Sequence, residues 1–158
     1  MQPTGNEFKA LEILHRALLL GVAVLAVVGV FVVIKGSALH TSPSLDKPLQ
    51  VAALLLSVGA TAAGFLLFNK KIKAIPVTDT APGRLAAYRA AAIQRWALIE
   101  APIVFSLVSF LLTGNYAFLA LGIALMLVLL VTRPARQIII YLLQLNEKEV
   151  RELEGSSE

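Results

Sequence analysis

Glu100 is the one acidic side chain inside an apolar run of this sequence, in the stretch Trp96-Ala97-Leu98-Ile99-Glu100-Ala101-Pro102. A carboxylate in hydrocarbon is costly, so such a group is normally paired, protonated or functional. It can take up and release a proton, which is the chemistry that proton pathways need. Pro102 offers no N–H to the carbonyl of Leu98 in a helix, which leaves a second polar group nearby. Three uses of Glu100 are therefore open: ion handling, contact with a partner, and a structural pairing. It stands about 7.5 Å along a helix axis from Arg95, close enough to the edge of its run to reach lipid headgroups. Arg95 is about 140° around that helix and so is a poor intrahelical partner. Arg16, at a matching depth before the first apolar run, could clamp Glu100 across helices.

Little else in the chain has the makings of a reactive centre. There is no cysteine, and the only histidines are His15 and His40, neither with a second ligand at helical spacing. Disulfides, thiolate sites and multi-histidine metal or haem sites are thereby set aside. No phosphate-cradling loop or nucleophile–base pair is visible, so no enzyme activity, cofactor or metal is expected. The net charge of +4 gathers at the ends of apolar runs, where it suits lipid phosphates better than nucleic acid. Gly21 and Gly29, with Gly59, Ala63 and Gly64, suit close helix approach. Ser57, Thr61, Ser106 and Ser109 are expected to bond to their own helix backbones.

Hydrophobic residues make up 58% of the 158-residue chain, against roughly 45–50% in soluble domains, and mean hydropathy is +0.79. The excess lies in four runs, 17–34, 49–68, 97–113 and 116–132. Each is long enough, with its flanking residues, to approach the ~20 residues that a bilayer-crossing helix needs. The first lacks an A-x-A cleavage site before Lys35 and reads as a retained span. The fold class expected is an all-α membrane protein, a four-transmembrane-helix bundle in a single domain. Its partners would be the lipid bilayer and either a homo-oligomer or another membrane protein.

In the connection 69–96, Thr80 or Asp79 can cap a helix that begins near Pro82 and continues into the third span. After the fourth span, Pro134 interrupts the helix. The tail 134–153 reads as one amphipathic helix, with Ile138, Ile139, Leu142, Leu143, Val150 and Leu153 broadly on one face. It would lie on the leaflet or pack on its neighbours. Lys35 and Lys47 are the only basic residues in the connections at one end; the other twelve of fourteen flank the opposite ends of the runs. That asymmetry predicts cytoplasmic N- and C-termini in a cell inner membrane. Ile13-Leu14-His15-Arg16 also lays over Ala92-Ile93-Gln94-Arg95, as two similar helical hairpins in parallel repeat would require.

Two resemblances add to this. The third run, ALIEAPIVFSLVSFLL, resembles the carboxylate helix of rotary ATP synthase c subunits (proteolipids) over about twenty residues. In that alignment Glu100, Phe105, Leu107 and Val108 take corresponding places, which implies a proton or ion site at Glu100. The chain lacks the dense G-x-G-x-G run of that family's partner helix. Over nearly its whole length it resembles a family of four-span bacterial inner-membrane proteins that carries no assigned activity. The residues that carry this likeness are Ala97-Leu98-Ile99-Glu100-Ala101-Pro102, Thr113-Gly114-Asn115 and Arg133-Pro134. The function expected is a non-enzymatic membrane protein, an accessory or scaffold subunit, with a proteolipid-like ion carrier as the alternative.

Overall fold

The computed structural model describes residues 7–36 and 45–154; His40 and the terminal Gly-Ser-Ser-Glu lie outside them. Six helices and no strand occur among the described residues. They are α1 (Glu7–Ile34), α2 (Asp46–Lys73), α3 (Ala81–Thr113), α4 (Tyr116–Val131), α5 (Arg136–Leu143) and α6 (Glu147–Leu153). The first two have 28 residues each and α3 has 33, about 42 and 50 Å at 1.5 Å per residue. All three are long and apolar enough to cross a bilayer. With 16 residues, α4 spans only about 24 Å, and it reaches that standard only as a pair with α5, bent by 63°. The bend falls at Arg133-Pro134-Ala135, where the proline has no N–H and its ring disfavours helical backbone at the residue before it.

The helix ends follow local chemistry. Thr80 caps α3, its hydroxyl accepting from the Gly83 N–H at 3.3 Å, with a proline in the first turn. The helix then runs unbroken for about four turns before its apolar stretch begins. At its far end Gly114 adopts φ +70° and its N–H donates to the Phe110 carbonyl. A side chain would be strained in that left-handed turn. Asn115 then caps α4 by accepting from the Ala117 N–H.

Helix α3 is the hub. Leu85, Tyr88, Ala92, Trp96, Ile99, Ile103, Leu107 and Phe110 are all buried, at spacings of three, four and four residues. That 11-residue pattern stays close to the natural helical period, so one face of α3 points inward along most of its length. Helix α1 offers Phe8, His15, Val22 and Gly29 at seven-residue intervals, all buried. Helices α1, α2 and α4 pack on α3, while α1 and α2 do not pack closely on each other. Two equivalent packed hairpins, as the repeat reading expected, would have paired them. Outward faces are apolar: Val24, Val27, Phe31, Leu55, Val58, Leu66 and Val131 are all at least half exposed. So extensive an apolar exterior suits a hydrocarbon solvent and not water.

The glycines divide. A Cβ at Gly64 would stand 3.4 Å from the Arg95 carbonyl and the Leu98 Cβ, and one at Gly29 would stand 3.6 Å from Phe110. Both sit at helix contacts, as expected. Gly21 and Gly59 do not: each is exposed, with no neighbouring atom within 4 Å of a Cβ. Gly21 is one residue off the buried stripe of α1, about 100° around the helix. The tightest approach between helices involves a glycine that spacing did not pick out, Gly122 of α4, whose Cβ would lie 3.2 Å from Leu107.

The tail is two helices instead of one. Gln144 takes a left-handed conformation, φ 51° and ψ 46°, that ends α5. Asn146 and Glu149 then form a reciprocal capping box that starts α6. Ile139, Leu143, Leu145, Val150 and Leu153 are buried in the common core, and both helices touch α3. Ile138 and Tyr141 are exposed. Of the two placements open from the sequence, packing on the neighbours is the one observed.

Candidate functional site

Glu100 sits on the side of α3 that faces α2. It lines an open apolar groove of about 610 Å³ with Leu56, Ala97, Ala101, Val104, Phe105 and Val108. The α3 residues of that set recur every three or four positions, so they form one outward stripe. Pro102 is buried on a different face, and α3 continues through it. Glu100 itself is partly exposed. Among the described residues no basic side chain comes within 4 Å of its carboxylate.

The two arginines considered as its partners are engaged elsewhere. Arg16 does not clamp Glu100; its Nη2 donates to Glu12 at 2.5 Å, one turn back on the exposed face of α1. Arg95 points the other way around α3, into the bundle. Its guanidinium lies 3.8 Å from the centre of the Phe68 ring and 5.8 Å from that of Phe65. Its Nη2 donates to the Thr132 carbonyl at 3.2 Å. Only 9% of Arg95 is exposed, and no carboxylate among the described residues pairs with it.

What Arg95 finds is the end of α4. Trp96 Nε1 also donates to the Thr132 carbonyl at 3.2 Å, and the Thr132 hydroxyl donates to Leu129 O at 2.7 Å. His15 Nε2 lies 3.0 Å from the same Leu129 oxygen. A carbonyl only accepts, so the proton of that bond is on Nε2. The His15 and Trp96 rings are 4.9 Å apart. Carbonyls at a helix C-terminus lack helical donors and carry about half a negative charge together. Three side chains from α1 and α3 satisfy them here, with a cation among them. This cluster ties the end of α4 to α1 and α3.

A third arginine fixes the tail. Arg84, 2% exposed, donates through Nη1 to the Leu143 carbonyl at 2.6 Å and through Nη2 to Glu149. The other Glu149 oxygen accepts from the Asn146 N–H at 2.8 Å. One carboxylate thus caps α6 and ties it to α3. In the sequence Arg84 is one of the twelve basic residues on one side and nothing more, and nothing there brings His15, Trp96 and Thr132 together. Their partners are 36 to 114 residues away, and no local spacing announces them. Ser57 does bond back to its helix, at 2.6 Å to Ala53 O. The Thr61 and Ser106 hydroxyls have no such partner.

No three His, Cys, Asp or Glu side chains come together among the described residues. The groove at Glu100 presents a carboxylate on an otherwise apolar outward face. No protein-family model, curated protein or solved structure matches this chain, so its functional reading rests on its own residues.

Proposed function

We propose that the chain is a non-enzymatic accessory subunit of a cell inner membrane, with four spans and cytoplasmic termini, that binds another membrane protein along α2 and α3. The observation that carries this reading is the Glu100 carboxylate, unpaired among the described residues, in an outward apolar groove. A carboxylate left in contact with lipid is costly, and a bundle meant to stand alone gains from pairing it internally. Arg16 and Arg95, the two arginines expected to pair with it, are both used elsewhere. The orientation is supported by the charge asymmetry, with twelve of fourteen basic residues on one side.

Native mass spectrometry of the full chain released from its own membrane tests this reading. A heteromeric assembly with one or two copies is expected. A homomeric ring of many copies would instead establish the second reading, a proteolipid-like ion carrier, which the outward position of Glu100 also favours. Carbodiimide labelling separates the two further. Selective modification of Glu100 near neutral pH would support the ion carrier, and the accessory reading expects none once the partner is bound.

A further inference from the structure

The accessory-subunit reading leaves open what the groove receives. Its floor runs along α3 from Ala97 to Val108, about 16 Å or three helical turns. Ala97 and Ala101 are exposed there, and Val104 and Val108 remain 37% and 41% exposed. Apart from Glu100, every side chain lining the groove is apolar. The groove follows α3 beside Leu56 of α2, and the only charge in its lining is negative.

Resting on that reading, we propose that the groove seats a single transmembrane helix of a different membrane protein, bearing one arginine or lysine at the depth of Glu100. Charge complementarity selects this occupant. In a low dielectric the gain from bringing a cation to a lone carboxylate is large, and a wholly apolar helix would seal the carboxylate in without a partner. A second copy of the chain meets the need less well. No Lys or Arg occurs in 17–34, 49–68 or 97–132, the basic side chain nearest that depth, Arg16, already pairs with Glu12, and a symmetric pair through this groove would bring two carboxylates to the same depth. The length of the trough favours a helix over a lipid headgroup amine, which would engage Glu100 from one end and leave the remaining turns bare.

The test uses the full chain in phosphatidylcholine vesicles with synthetic Leu/Ala transmembrane peptides. One peptide carries a single arginine at the matching depth, one carries glutamate there, and one carries leucine. The chain has no cysteine, so a Lys73→Cys variant takes an acceptor dye and energy transfer from a labelled peptide reads binding. The arginine peptide should bind at least ten-fold more tightly than the leucine peptide. Glu100→Gln should remove that advantage, and Glu100→Arg should transfer it to the glutamate peptide. Val104→Trp, which fills the trough and leaves the charge, should weaken arginine-peptide binding. Equal binding of the arginine and leucine peptides, or an advantage that survives Glu100→Gln, overturns the proposal. So does its loss when phosphatidylethanolamine is added, which would make the amine headgroup the occupant, or saturating self-association of the chain. Absence of any heteromeric assembly in native mass spectrometry would remove the accessory reading; equal peptide binding removes this proposal alone.

Discussion

Arg95 and Glu100 stand five positions apart on one helix and meet opposite fates. The cation is buried and satisfied without a carboxylate: a carbonyl, the negative end of α4 and two aromatic faces share its charge. The anion, less buried, is left facing out. Replacing Arg95 by methionine should therefore destabilise the bundle by about 2–4 kcal/mol, from lost ring contacts and an orphaned carbonyl. Trp96→Phe keeps an aromatic ring but loses the N–H bond and part of a fully buried indole, and should cost about 1–3 kcal/mol. Glu100→Gln should leave unfolding unchanged within about 0.5 kcal/mol, because no intramolecular partner is lost. Denaturation by sodium dodecyl sulfate, followed by circular dichroism, measures all three. A cost for Glu100→Gln equal to that of Arg95→Met would show that Glu100 is a structural ion.

At the scale of elements, the sequence announced what local chemistry controls. The extended start of α3 was legible in Thr80 and Pro82, and the bend after α4 in Pro134. The break in the tail was missed although Asn146 and Glu149 carry the capping-box signature, because the apolar spacing around them reads as one continuous face. Packing partners were less legible still. Gly21, Gly29, Gly59 and Gly64 look equivalent in a string of residues, and only the buried stripe of each helix tells them apart. Gly64→Leu and Gly122→Leu should each cost about 1–3 kcal/mol through overpacking, while Gly21→Ala and Gly59→Ala should be neutral or slightly stabilising. Glu149→Gln weakens both the α6 cap and its tie to Arg84. Amide exchange should then quicken across α5 and α6 with little change in α3. Unchanged exchange would show that apolar burial alone holds the tail.

For the whole molecule, three helices long enough to span, a fourth bent against a short continuation, and an apolar exterior belong together in a bilayer. Membrane character was readable from composition because a bilayer imposes length and polarity on every span. The inward and outward sides of each helix were not, since helices that are apolar all round leave little moment to read. That is why Glu100 could be singled out but not placed against its neighbours. Orientation can be checked with single cysteines in a chain that has none of its own. An impermeant maleimide added to spheroplasts should label Lys35→Cys and spare Lys73→Cys, and the reverse pattern would invert the topology. The central claim, that the Glu100 groove is a docking face, is tested most directly by a photo-crosslinking residue placed at Val104 in the native membrane. The account predicts one discrete protein adduct, mapped to a transmembrane segment with a basic residue, that is absent from a crosslinker at Val27 and lost in Glu100→Gln. Adducts to lipid alone from Val104, indistinguishable from those at Val27, would contradict it.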